Sequence, residues 1–89
     1  GSGGWYSLVR TQGTSINLSG YNYIKIISES SPEPSEYGEI TVNGINYVTE
    51  NYIGTIFKLN NSSVSFAGYR YDNTGGSYID SSVTIQYWK

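Results

Sequence analysis

The feature that most restricts the fold is the dipeptide Asn43-Gly44, which separates residues 39–42 from residues 45–48, two segments of alternating polarity. Asparagine and glycine accept the positive φ angles of a type I′ turn, whose twist matches that of two antiparallel strands. A two-residue turn also fixes the register, so that the apolar side chains of both strands share one face. Those apolar residues are Ile40, Val42, Ile45 and Tyr47. The segment therefore predicts a β-hairpin.

The rest of the chain also alternates between apolar and polar residues, and no segment has the spacing of a helix. Turn-forming residues recur at intervals of about 8–12 residues, as in sandwiches and small barrels. Ile24 and Ile26 in one strand are expected to face the core. The last strand has Val83, Ile85 and Tyr87 on one side and Thr84, Gln86 and Trp88 on the other. Outside the hairpin, strands are predicted at residues 5–10, 15–18, 21–28, 52–59, 64–71 and 82–88. We therefore predict an all-β fold, an antiparallel β-sandwich or small barrel of about seven to eight short strands.

The sequence also predicts a second hairpin and a loop. Residues 52–59 and 64–71 are predicted to form a second hairpin, which places Phe57 opposite Phe66. Residues 30–38 contain both prolines of the chain and are predicted to be an irregular, solvent-exposed loop.

The length of 89 residues allows one domain. Residues 1–4 (GSGG) resemble an artificial extension, so residues 5–89 are predicted to be a single β domain, an excised module of a longer protein. The sequence contains no cysteine and no histidine, which excludes disulfides and a Cys/His zinc site. Its stability must therefore come from aromatic packing or from partner subunits.

Composition also limits the partners of the domain. The net charge is −2, whereas a nucleic-acid-binding surface is basic, so no nucleic acid is expected as a partner. No apolar run approaches the ~20 residues of a membrane-spanning helix, so no membrane insertion is expected.

Catalysis is not expected either, because the usual catalytic residue types are missing. Without histidine or cysteine, the commonest general base and the commonest soft metal ligands are absent. Five of the seven acidic residues lie between residues 29 and 50 and offer carboxylate pairs, but a domain this small has little room for a deep cleft. We predict a protein that is not an enzyme and has no cofactor.

A calcium site is the one metal centre that the sequence offers. Asp72, Asn73 and Asp80 flank a glycine-rich segment and carry the oxygen ligands that Ca²⁺ prefers. Their spacing matches no EF-hand loop, and the same residue types are typical of metal-free turns. We therefore predict no metal.

The ten tyrosines and two tryptophans are more aromatic residues than the core of so small a domain needs. Such residues are enriched at protein interfaces and can stack on sugars, but they also pack across strands on half-buried sheet faces, and both interpretations remain open. Arginine and tyrosine are typical anchor residues of binding sites. The predicted binding residues are Tyr69, Arg70, Tyr71 and Tyr78.

Residues 14–26 (TSINLSGYNYIKI), the aromatic start at Trp5 and the closing strand at residues 83–88 resemble the C-terminal domains of bacteriophage tail and tail fibre proteins. The cysteine-free composition, rich in tyrosine, serine, asparagine and glycine, is similar to theirs. The resemblance implies a β-sandwich at the end of a tail appendage, which acts in assembly or in attachment to the host surface. No binding residue can be transferred from it.

The first functional hypothesis is accordingly a structural or host-recognition domain of a phage-type tail or fibre protein. It would be extracellular, on a virion or cell surface, would form a homo-oligomer, and would bind a host surface polysaccharide or protein. The second hypothesis is a small carbohydrate-binding module of a bacterial secreted or surface protein, and a third is an adhesin or pilus-type stalk. Apolar residues on both faces of a sheet favour the oligomer, whereas aromatic residues gathered on one face favour sugar binding.

Overall fold

The strands of this chain form two sheets that pack face to face. The computed structural model describes residues 4–70 and 80–89, which contain eight strands. These are β1 (Trp5–Thr11), β2 (Thr14–Asn17), β3 (Tyr23–Ser30), β4 (Glu36–Val42), β5 (Ile45–Val48), β6 (Ile56–Lys58), β7 (Ser63–Arg70) and β8 (Ser82–Trp88). Sheet A has the order β1-β8-β3-β6 and sheet B the order β2-β7-β4-β5, and neighbouring strands are antiparallel. The predicted all-β sandwich is confirmed.

The core lies between the sheets and is built from the inward-facing residues of both. Its fully buried members are Leu18, Ile24, Ile26, Ile40, Val42, Val64, Phe66, Val83 and Ile85. Because successive side chains of a strand point to opposite faces, these positions alternate with outward-facing residues. The predicted inward face of β3 is therefore confirmed, and the structure shows that Val83 and Ile85 of β8 also face the core.

The Asn-Gly hairpin is also confirmed. Strands β4 and β5 pair Val42 with Ile45, and the turn residues Asn43 and Gly44 have φ angles of 54° and 79°. The Asn43 side chain does more than permit the turn. Its Nδ2 donates a hydrogen bond to the carbonyl oxygen of Lys58, 2.8 Å away, and its Oδ1 accepts hydrogen bonds from two backbone amides of the following loop. The hairpin is thus tied to the end of β6 in the opposite sheet.

The second predicted hairpin is wrong. Thr49–Tyr52 forms a 3₁₀ turn, and only Ile56–Lys58 is a strand. That strand belongs to sheet A, where Phe57 lies opposite Ile24, whereas Phe66 lies in sheet B. The two segments face each other across the core instead of pairing, because residues 59–62 carry the chain from one sheet to the other.

The predicted loop at residues 30–38 is shorter in the structure, since β3 extends to Ser30 and β4 begins at Glu36. The prediction was wrong for residues 36–38 because Glu36 and Gly38 read as loop residues, although both are buried. In the sheet they pair with Arg70 and Gly68 of β7, partners that the local sequence does not reveal.

A β-bulge in β3 changes which residues face the core. The register with β8 shifts between Ile26 and Ser28, which inserts one extra residue. As a result Glu29 lies opposite the buried Val83 and points inward, as Arg10 does on the other side of Val83. The bulge thus brings a carboxylate into one end of the sandwich, which we call the arginine pole because β7 ends there at Arg70.

Candidate functional site

An apolar groove lies on the outer face of sheet A. It has a volume of about 300 Å³ and is lined by Trp5, Tyr23, Ile56 and Trp88, which we call the aromatic groove. Trp88 in β8 lies directly opposite Trp5 in β1 on one side and Tyr23 in β3 on the other. Pairing of the first and last strands therefore brings two tryptophans together that are far apart in sequence.

Three of the four side chains that line the aromatic groove are exposed, and the fourth, Trp88, is half-buried. Trp5 is 38% exposed, Tyr23 39% and Ile56 52%. The Trp5 and Trp88 rings lie with their centroids 5.1 Å apart and their planes at 62°. The two indoles are therefore inclined to each other, in the edge-to-face arrangement that aromatic pairs prefer.

A second set of aromatic side chains supports β1 and β8 from their inner side. Tyr87 stacks on Tyr6 at 5.7 Å and meets the edge of Tyr21 at 4.7 Å. The ammonium group of Lys89 lies 5.5 Å from the centre of the Tyr21 ring, within range of a cation–π contact. These tyrosines pack across strands, as one of the two interpretations of the aromatic surplus predicts, although Tyr6 remains 46% exposed.

The predicted binding residues lie at the arginine pole, away from the aromatic groove. Tyr69 stacks on Tyr37 across the β4–β7 pair at 5.5 Å, with the ring planes at 28°. Arg70 Nη2 lies 3.3 Å from a carboxylate oxygen of Glu36. Tyr71 and Tyr78 fall outside the described residues, so the binding patch as a whole stays a prediction.

A cluster of charged side chains lies between the sheets at the same pole. Glu29 Oε1 accepts hydrogen bonds from Ser31 Oγ at 2.7 Å and from the Gly38 amide at 3.1 Å. The Glu36 side chain is only 2% exposed and forms the ion pair with Arg70. Both carboxylates thus make contacts within the fold, and sequence reasoning missed them because the bulge in β3 and the β4–β7 pairing create their positions.

The remaining sequence-based site concerns calcium. Asp80 is exposed in the bend before β8, while Asp72 and Asn73 fall outside the described residues. Within residues 4–70 and 80–89 no three acidic side chains come together in a way that could hold a metal ion. The same part of the chain contains no helix that is long and apolar enough to cross a membrane.

Sequence reasoning counted Trp5 and Trp88 among the surplus aromatic residues but did not place them in a site. Each terminal strand carries a tryptophan at its outer end. This signal would have located the groove if the pairing of the two strands had been known. Comparison with protein-family models, with curated proteins and with solved structures finds no match for this chain.

Proposed function

We propose that this chain is a non-catalytic recognition domain that binds the sugar rings of a surface polysaccharide in the aromatic groove. The observation that carries the proposal is that the exposed Trp5 and Tyr23 flank the half-buried Trp88 on one sheet face. Tryptophan and tyrosine offer a large rigid apolar surface together with a polar tip, which suits the apolar faces and hydroxyl edges of a pyranose ring.

The placement of these residues supports a binding role over a structural one. The core between the sheets is formed by other side chains, and the aromatic groove lies on the opposite, outer side of sheet A. Solvent-exposed apolar clusters are uncommon on soluble domains unless something binds there. The polar surroundings, which include Ser7 and Gln86 in the neighbouring row of the sheet, supply hydrogen-bonding groups for sugar hydroxyls.

For the biological setting we propose a host-recognition domain of a phage-type tail or fibre protein, displayed outside the cell. The resemblance of residues 14–26 and of the last strand to such domains supports this setting, as does the composition free of cysteine. A carbohydrate-binding module of a secreted or surface protein of a bacterium would use the same groove in the same way.

A subunit interface in a homo-oligomer is the second candidate function of the aromatic groove. It is favoured by the aliphatic side chains on this face, because Ile56 in the groove and Val9 farther along β1 are both more than half exposed. Aliphatic side chains suit a protein partner better than they suit a sugar.

The test is binding to a panel of immobilised bacterial surface polysaccharides, with the solution mass measured by light scattering. We expect the domain to bind at least one polysaccharide, and Trp5→Ala and Tyr23→Ala each to weaken binding about tenfold without changing the solution mass. Tyr69→Ala removes a half-buried tyrosine at the arginine pole and serves as the matched control.

Three outcomes would overturn the proposal. A mass of several chains that falls to one chain in Trp5→Ala would assign the groove to subunit contact. Loss of binding in Tyr69→Ala with full binding in Trp5→Ala would assign the ligand to the predicted patch at the arginine pole. Absence of binding to every polysaccharide by a folded monomer would refute sugar recognition.

A further inference from the structure

We propose that the ligand of the aromatic groove is an acidic polysaccharide whose carboxylate or phosphate groups contact Lys25 and Lys58. This inference rests on the proposed function and adds the chemical class of the ligand. It is carried by the charges that surround the groove on the outer face of sheet A.

Both lysines are neighbours of the groove in the sheet register. Lys58 in β6 lies opposite Tyr23, and Lys25 in β3 lies opposite Ile56, so each lysine is paired with a residue that lines the groove. Residues directly opposite each other in an antiparallel pair have Cβ atoms about 5 Å apart and point to the same face. The flexible lysine side chains can therefore reach a group bound beside Tyr23 or Ile56.

Within residues 4–70 and 80–89, neither lysine forms an ion pair with a carboxylate. Among the described residues, the ion pair within 4.0 Å is that of Arg70 with Glu36 at the other pole, and it involves neither Lys25 nor Lys58. Lys58 is exposed and Lys25 is half-buried. Their ammonium groups are therefore available to a bound anion.

Lys25 and Lys58 project from this face, whereas the acidic residues of the described strands lie elsewhere, although the net charge of the protein is −2. Strands β1, β6 and β8 contain no acidic residue, and Glu29 of β3 points inward because of the bulge. Glu36 points into the arginine pole, and Glu39 lies in sheet B. No acidic side chain therefore projects outward from the strands of sheet A, whereas Lys25 and Lys58 do. Two lysines without a carboxylate beside them on these strands attract an anionic ligand.

The geometry of the two indoles favours a single polysaccharide chain as the ligand. The planes of Trp5 and Trp88 are inclined at 62°, so the two rings do not form one flat platform. A crystalline polysaccharide surface would contact one of them at most, whereas a separate chain can lay one ring against an indole face and be flanked by the other.

The experiment compares polygalacturonate with its fully methyl-esterified form, which removes the charge and keeps the sugar. A phosphorylated mannan and the same mannan after dephosphorylation form the second pair. We expect the charged member of at least one pair to bind about tenfold more tightly, with an advantage that falls as salt is raised from about 50 to about 500 mM. The pair that shows the preference distinguishes carboxylate from phosphate.

The variants are Lys25→Gln and Lys58→Gln, with Lys89→Gln as the control for net charge. Each of the first two is expected to weaken binding of the charged polymer about three- to fivefold, as an exposed charge contact does, and to leave the neutral polymer unaffected. Circular dichroism spectra that match the unsubstituted protein confirm folding.

The two proposals fail in different ways. Equal binding of the charged and neutral members, with no effect of Lys25→Gln or Lys58→Gln, would overturn the acidic ligand and leave sugar recognition standing. An equal loss in Lys89→Gln would also overturn it, because the effect would then reflect net charge alone. Binding of none of the four polymers, together with no binding to the wider panel, would refute both proposals.

Discussion

Replacement of Gly38 by alanine tests the packing between the sheets at a single position. Gly38 lies in β4, has no positive φ angle and is buried, so the substitution introduces no backbone strain. A methyl group at this position would instead overlap Cζ and Cε1 of the Phe66 ring. The absence of a side chain at residue 38 is therefore what allows Phe66 to lie across β4.

The cost follows from the distance that Phe66 must move. Its ring must retreat by about 1 Å to reach ordinary contact distance, in a site where it is 2% exposed. Overpacking of this kind costs about 1–3 kcal/mol. Alanine itself raises the free energy of unfolding by about 0.4–1 kcal/mol, because it restricts the unfolded chain more than glycine does. We expect Gly38→Ala to lower the free energy of unfolding by about 1–2 kcal/mol.

Urea unfolding followed by circular dichroism measures this loss, which corresponds to a midpoint lower by about 1 M for a domain of this size. Phe66→Leu removes the overlapping ring atoms, so Gly38→Ala should cost about 1 kcal/mol less when it is combined with Phe66→Leu than when it is made alone. Equal cost with and without Phe66→Leu, or no cost in either case, would show that the ring of Phe66 does not restrict residue 38.

Three further substitutions test other contacts. Asn43→Gly keeps the turn but removes the hydrogen bond to Lys58 and those from two backbone amides of the following loop. It should lower the free energy of unfolding in urea by about 1–2 kcal/mol, and an unchanged midpoint would show that these hydrogen bonds between the hairpin and the loop contribute nothing. Arg70→Met leaves the Glu36 carboxylate buried without its ion pair. It should lower the free energy of unfolding by about 1–2 kcal/mol, less than for a fully buried pair because the Arg70 side chain is 37% exposed. Adding Glu36→Gln should recover part of that loss, and no recovery would contradict the reasoning. Thr49→Val removes a buried hydroxyl that has no hydrogen-bond partner. It should raise the free energy of unfolding by up to about 1 kcal/mol, and with it the melting temperature; a lower melting temperature would reveal a partner for that hydroxyl.

The fold was predictable wherever neighbouring residues in sequence are also neighbours in space. The hairpin around Asn43-Gly44 has the predicted register because a two-residue turn permits only one. Residues 52–59 and 64–71 also looked like a hairpin, but the four residues between them carry the chain across to the other sheet. Local pattern cannot distinguish a turn within a sheet from a crossover between sheets, because both need the same turn-forming residues.

The candidate site was less predictable than the fold. Sequence reasoning selected Tyr69 and Arg70 because arginine and tyrosine stand together beside a loop, and the structure shows them in contact with Tyr37 and Glu36. The aromatic groove depends instead on Trp5 and Trp88, which belong to the first and last strands. Composition indicated that the chain has more aromatic residues than its core needs, but it could not indicate which of them meet.

The sequence by itself determined the all-β class, the central hairpin and the inward face of β3, since these depend on turn chemistry and on the two-residue period of a strand. Only the tertiary structure decided that β1 pairs with β8, that β6 and β7 lie in different sheets, and that a bulge points Glu29 into the interior. Those features depend on pairing between distant segments, and strand pairing is made by backbone hydrogen bonds, which are the same for nearly every residue type. The aromatic groove is a product of such pairing, so it became visible only once the strands had been placed side by side.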